Sequence, residues 1–137
     1  MNAIVIDASV TLAWCFPDEQ TPVALRVLDR LQGGARAYVP AFWSLEVLNT
    51  LLLGERKGRI TAEQTNEFFN ELRVLNPFLD YLPLELVAGP VQTICREHRL
   101  TPYDVLYVEL ALRMGCPLAT LDQPQRDAAK AFGVRCL

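Results

Sequence analysis

Two short apolar runs, each closed by an aspartate, stand near the two ends of the sequence: "AIVID" at residues 3–7 and "CPLATLD" at residues 116–122. Runs of four to six β-branched and aliphatic residues stopped by a polar residue have the length and composition of buried strands. Helical spacing fills much of the chain between them and follows the second. Strands that alternate with helices form right-handed crossovers onto a parallel sheet. That pattern excludes most all-α and all-β arrangements and implies an α/β chain.

The remaining elements follow from periodicity and punctuation. Residues 20–32 carry Val23, Val27, Leu28 and Leu31 at helical spacing, and a brief strand is expected near Ala37–Val39. In the helix over residues 43–57, Leu45, Leu48 and Leu52 are expected to form the buried stripe with Val47 and Leu51 flanking, and Gly58 closes it as a left-handed cap. "TAEQ" is a Thr-x-x-Gln capping box opening a helix that runs to about Leu75, with Phe68, Leu72 and Leu75 on one side. A strand is expected at residues 80–84 and a helix at 86–98, with Gly89 and Pro90 in its first turn. The last third predicts a helix at 102–114 ended by Gly115, a strand at 116–121, a helix at 123–132 ended by Gly133, and a final strand "VRC".

A chain of 137 residues, 51% hydrophobic and 21% charged, suits one globular domain over residues 1–137 with a real core. Its apolar runs are too short to span a membrane. "MNAIVIDASV" lacks the basic and small-residue features of a signal peptide, so a cytoplasmic chain is expected. Cys15, Cys95, Cys116 and Cys136 have no CxxC spacing and apolar neighbours, and are expected to be reduced core thiols. The formal net charge of −3 offers no global basic field for nucleic acid, so any such contact must be local.

Ligands of open parallel sheets bind beyond the carboxyl ends of the strands, where Asp7 and Asp122 fall. Each aspartate has a second explanation as a helix N-cap, and Asp122 is followed by Pro124 and Gln125 as a cap would be. Glu46 and Asn49 share one flank of their helix, as a polar pair reaching inward or as a solvated boundary. Asp104 follows Thr101 and Pro102 at the third position of its helix, where it serves the cap and the dipole. Two carboxylates 4 Å apart repel by about 4 kcal/mol at an effective dielectric near 20, so four that converged would call for protons or cations. Oxygen ligands without a His or Cys cluster select Mg²⁺ or Mn²⁺ over zinc.

Taken in order, "IVIDASV", "PAFWSLEVLN", "TPYDVLYVELAL" and "LATLDQP" resemble the four acidic motifs of the PIN-domain nucleases, and the short chain looks most like the VapC toxins of type II toxin-antitoxin systems. The resemblance implies a three-layer α/β/α sandwich around a mostly parallel sheet. It implies that Asp7, Glu46, Asp104 and Asp122 bind Mg²⁺ or Mn²⁺ and carry catalysis, with Asn49, Thr120 and Ser9 in support. The implied activity is endoribonuclease cleavage leaving a 5′-phosphate and a 3′-hydroxyl, and the implied partners are RNA, a cognate antitoxin seated in a groove near the site, and a second copy of the chain. Val105 departs from the alanine common after the motif's Tyr-Asp pair.

Other residues carry weaker expectations. Arg56, Lys57 and Arg59 are candidates for phosphate contact or simply a solvated helix end. Trp14, Phe42, Trp43 and residues 51–53 are candidate apolar surfaces, with burial the alternative. Asp127 is expected on a solvated face, and His98 without a role in a site. "DASVT" also resembles the nucleophile loop of haloacid-dehalogenase-like phosphohydrolases, but Ser9 replaces the second acid and only Lys57 and Lys130 could supply that class's lysine. A PIN-like interaction module with weak catalysis is the remaining alternative.

Overall fold

The computed structural model describes residues 2–137. Four strands, β1 (Ala3–Ile6), β2 (Arg36–Pro40), β3 (Phe78–Asp80) and β4 (Leu118–Ala119), form a sheet in the order β3-β2-β1-β4 with every pairing parallel. Val5 lies between Tyr38 on one side and Leu118 on the other. All four residues of β1 are buried, as a central strand covered on both faces requires.

Strand order decides where the helices lie. From β1 to β2 to β3 the chain steps one way across the sheet, through α1 (Ala8–Cys15), α2 (Pro22–Gln32), α3 (Trp43–Arg56) and α4 (Ala62–Leu75). It then returns past β1 to β4 through α5 (Leu84–Leu86), a π-helical segment (Val87–Val91), α6 (Gln92–His98) and α7 (Pro102–Met114), and α8 (Gln123–Ala131) follows β4. Right-handed crossovers taken in opposite directions place the two helix sets on opposite faces. The result is an α/β/α sandwich whose connections part between β1 and β4, where Asp7 and Asp122 begin. No helix among the described residues is long and apolar enough to cross a membrane.

Local chemistry explains most boundaries. Thr61 and Gln64 close the reciprocal box at the start of α4, Thr101 caps α7, and Gly115 ends α7 at φ +64°, a left-handed conformation that a β-carbon disfavours. Gly54 serves another need, since a β-carbon there would stand 3.2 Å from both Phe16 and Ile60. It lets α3 pack close against the chain leaving α1.

Several expectations are corrected. The strand expected at 80–84 is Phe78–Asp80, because pairing with Tyr38–Pro40 sets its register and Pro83 begins the next helical segment as its N-cap. Pro90 lies inside the helical run, in a π turn that accommodates its missing N–H. The strand expected at 116–121 pairs only through Leu118–Ala119, and "VRC" contributes one bridge, Leu118 to Cys136. In α3 the buried residues are Trp43, Val47, Leu51 and Gly54, whereas Leu45 is 66% exposed. The helix is rotated from the expected stripe because the indole of Trp43 donates to the buried Thr11 hydroxyl at 3.0 Å. The four cysteines are free but half-buried at the core margin, with thiols that burial pushes up and away from reactivity.

One ion pair joins the edge strand to the helix behind it. Arg113 on α7 donates to the buried Glu109 at 2.7 Å and, through its other nitrogens, to Asp80 at the end of β3. Arg113→Ala is expected to destabilise the protein by about 1–3 kcal/mol, less than for a fully enclosed pair because the side chain of Arg113 is 35% exposed. Urea unfolding measures this. Glu109→Leu in the same background should recover much of the loss, since the cost lies in the charge left buried.

Candidate functional site

Beyond the carboxyl ends of β1 and β4 lies an open cavity of about 520 Å³ lined by Asp7, Glu19, Glu46, Asp104 and Asp122, with Ser9, Tyr107 and Gln125 among their neighbours. Among the described residues no lysine, arginine or histidine lines it.

Each of the four acids singled out from the sequence enters from the first turn of a helix. Asp7 is the N-cap of α1, Glu46 lies in the first turn of α3, Asp104 in that of α7, and Asp122 is the N-cap of α8. Helix N-termini present unpaired N–H groups and partial positive charge, which favour carboxylates. Asp7 and Asp122 are caps that also line the cavity, and Asp104 lines it from the turn that Thr101 caps, so capping and lining are compatible here.

Asp7 is 3% exposed and the most tightly held. Its carboxylate accepts from Ser9 Oγ at 2.7 and 2.9 Å, from the Val10 amide at 3.0 Å and from the Thr120 hydroxyl. Ser9 in turn accepts from the Leu121 amide at 2.9 Å, and Thr120 from the Asp122 amide at 3.0 Å, so both hydroxyls tie the start of α1 to the end of β4. Burial nevertheless raises the carboxyl of Asp7 above its usual range, with these hydrogen bonds opposing and the charge of Asp122 adding to the rise.

Glu46 is half-buried and accepts a short hydrogen bond from the Tyr107 phenol. Its carboxyl is also raised, first by burial and further by Asp104 and Asp7. Burial and Glu46 push the Tyr107 phenol far up, so it remains a protonated donor. Asp104 exchanges hydrogen bonds with Thr101 and accepts from Gln125 Nε2 at 3.2 Å, and Asp122 accepts from the Gln125 amide at 3.0 Å.

Other candidates lie elsewhere. Asn49 is exposed and outside the cavity lining, because Glu46 faces the cavity from a turn that Asn49 does not share. Arg59 does not line the cavity; it lies over the ring of Phe16 and pairs with Asp18 and with Glu19 at the cavity's margin. Arg56 and Lys57 are exposed and do not line the cavity. Asp127 is exposed and accepts from Gln123, and His98 packs against Phe132. Of the candidate apolar surfaces, Trp43 and Leu51 are buried, Trp14 and Phe42 are half-buried, and Leu52 and Leu53 are exposed. Two lining residues went unread in the sequence as members of a site: Glu19, carried by a single 3-10 turn (Pro17–Glu19) with no motif, and Gln125, whose place in an apparent helix cap concealed it.

The chemistry of the donors fits a hard divalent cation: carboxylate, hydroxyl and amide oxygens, and one amide oxygen, Gln125 Oε1, that is buried without a partner. Among the described residues no group of three or more His, Cys, Asp or Glu side chains is arranged to hold an ion as it stands. Each acid is engaged by its own neighbours, so binding would require side-chain turns within the cavity.

The PIN domain family matches residues 4–131. Ribonuclease VapC3 of Pyrobaculum aerophilum is 29% identical over 129 residues, 94% of each chain. The fold is similar to that of PAE2754 from Pyrobaculum aerophilum, with a TM-score of 0.73 at 19% identity over 98% of this chain and 83% of that one. It is similar too to FitAcB from Neisseria gonorrhoeae, with a TM-score of 0.61 at 18% identity over 98% and 96%.

A raised carboxyl makes a signed prediction for the protein in EDTA. The folded state holds the Asp7 proton to higher pH than the unfolded chain does. The stability this group contributes is complete below its ordinary value of 3.8 and is lost as pH rises through the raised value. Asp7→Asn removes that loss. Its thermal midpoint in EDTA should exceed the wild type's at neutral pH, and the gap should close as the buffer is taken below about pH 4.

Proposed function

The chain belongs to the PIN-domain family, and from that premise we propose that it is a Mg²⁺- or Mn²⁺-dependent endoribonuclease that acts as the toxin of a type II toxin-antitoxin pair. The observation that carries the reading is the cavity beyond β1 and β4, which Asp7, Glu46, Asp104 and Asp122 line with no lysine, arginine or histidine beside them, the fifth acid, Glu19, being paired with Arg59 outside the lining. Such a cavity repels a phosphodiester unless a cation intervenes. The similarity to Ribonuclease VapC3 supports RNA as the substrate.

Asp7, Glu46, Asp104 and Asp122 are the residues that would hold the ion, directly or through water. When bound, a divalent cation supplies Lewis acidity, making water a usable nucleophile near neutral pH and offsetting charge on the phosphoryl oxygens. The chain's own residues prepare for this. Ser9 and Thr120 hold Asp7 in one orientation, Tyr107 holds Glu46, and Leu12 and Leu121 wall the cavity beside them. The expected products carry a 5′-phosphate and a 3′-hydroxyl.

A second cavity of about 400 Å³, lined by Trp14, Phe16, Ile60 and Phe68 and also by Arg59, Glu67 and Glu71, supports the partner half of the reading. It adjoins the acidic cavity, because Glu19 lines the first and its ion-pair partner Arg59 lines the second. A segment of the cognate antitoxin with both apolar and charged side chains, seated there, would lie beside the acids of the first cavity. A homodimer and a cytoplasmic location, where RNA and antitoxin meet the chain, belong to the same proposal.

Purified protein incubated with cellular RNA should cleave it with Mg²⁺ or Mn²⁺ and not with EDTA. Asp104→Asn should fold normally by circular dichroism and fall to about one hundredth of wild-type activity or below, the scale on which loss of one electrostatic group in a transition state operates. Cleavage that continues in EDTA would sink the metal-dependent reading. An Asp104→Asn variant that is less stable yet fully active would reduce Asp104 to a capping role.

A further inference from the structure

Gln125 occupies the third position of α8, three residues after the Asp122 N-cap. A glutamine there normally turns back to accept the amide hydrogen of the cap residue, as Gln64 does from Thr61 at 3.0 Å in α4. In α8 that role is taken by another residue, since the Asp122 amide donates to the Thr120 hydroxyl. The Gln125 side chain instead crosses to a different helix and donates from Nε2 to Asp104 Oδ1 at 3.2 Å. Its own amide meanwhile donates to Asp122. One residue thereby touches two of the four acids.

The other end of the carboxamide is anomalous. Gln125 is 2% exposed, lines the acidic cavity, and its Oε1 has no hydrogen-bond partner among the described residues. Buried polar atoms are rarely left so. Turning the amide over offers no remedy, because it would set Oε1 against the Asp104 carboxylate. That acceptor is closed to solvent as it stands, so a donor reaches it only once the Gln125 side chain turns, and water in a cation's hydration shell is such a donor.

We propose that Gln125 is a positioning residue for cation binding, its Nε2 holding Asp104 in the cavity while its Oε1 receives a hydrated divalent cation through water. The proposal rests on the metal-dependent reading above and adds to it the group that joins α7 to α8 across the site. It also accounts for the incomplete cap: closing it would withdraw the carboxamide from the acids.

The test titrates Mn²⁺ alone into the EDTA-stripped, dialysed full chain by calorimetry, beside urea unfolding of the same samples in EDTA. Gln125→Leu should bind Mn²⁺ about 10- to 100-fold more weakly than wild type, with a urea midpoint unchanged or higher, because an unpaired buried acceptor has been removed. Gln125→Glu keeps an acceptor and sets a like charge against Asp104. It should have a lower midpoint in EDTA yet bind Mn²⁺ more tightly than Gln125→Leu. Wild-type Mn²⁺ affinity in Gln125→Leu, with or without a change in midpoint, overturns the proposal. If Gln125→Leu fails to fold, Gln125→Met, of similar length and without either polar atom, decides: wild-type Mn²⁺ affinity there overturns the proposal, and a tenfold or greater loss supports it. A folded wild type that takes up no Mn²⁺ would instead remove the metal-dependent reading itself.

Discussion

The carboxylate of Asp7 is enclosed at the end of the central strand, and the arrangement around it follows from the need to keep an anion there. Burial alone would favour its neutral form. The opposing forces are local: two hydroxyls, a backbone amide and the N-terminus of α1. Supplying them fixes the chain on both sides, because Ser9 reaches the Leu121 amide and Thr120 reaches the Asp122 amide. The ends of β1 and β4 are thus held together by the groups that solvate one carboxylate. Arg126 extends the same tie, donating to the Thr120 and Leu137 carbonyls at 3.1 and 3.0 Å.

The remaining acids use the same device less completely. Glu46, Asp104 and Asp122 each stand in the first turn or at the cap of a helix, so four helix N-termini converge on a cavity without a basic side chain. Their partial charges moderate the mutual repulsion, and the carboxyls of Asp7 and Glu46 are still raised, first by burial and then by neighbouring acids. A cavity so arranged is short of positive charge, which is the physical basis for assigning it a cation.

Much of the scaffold was legible in the sequence because its signals are short-range. Helix α7 spans the expected residues 102–114, since Thr101, Pro102 and Gly115 punctuate it by local backbone chemistry. The capping box at Thr61 is of the same kind. The misplaced features depend on partners far along the chain. The register of β3 is set by β2, and the rotation of α3 by Trp43 reaching Thr11, 32 residues away. The same limit applies to the candidate site. Asp7, Glu46, Asp104 and Asp122 could be named one by one, whereas Glu19 joins them only through the path of the turn after α1.

Asp104 and Gln125 show where the division falls. Residue type and spacing by themselves determined that Asp104 sits in the first turn of a helix and that Gln125 follows an aspartate cap, because caps are made within four residues. They could not determine that Gln125 leaves its cap, because the competing acceptor for the Asp122 amide is a hydroxyl on the preceding turn whose direction depends on Asp7. Nor could they bring Asp104 within 3.2 Å of Gln125, a contact between helices that pack only once β4 has taken its place beside β1. Local backbone chemistry placed each acid at a helix start. The return of the chain across the sheet brought those starts around one cavity.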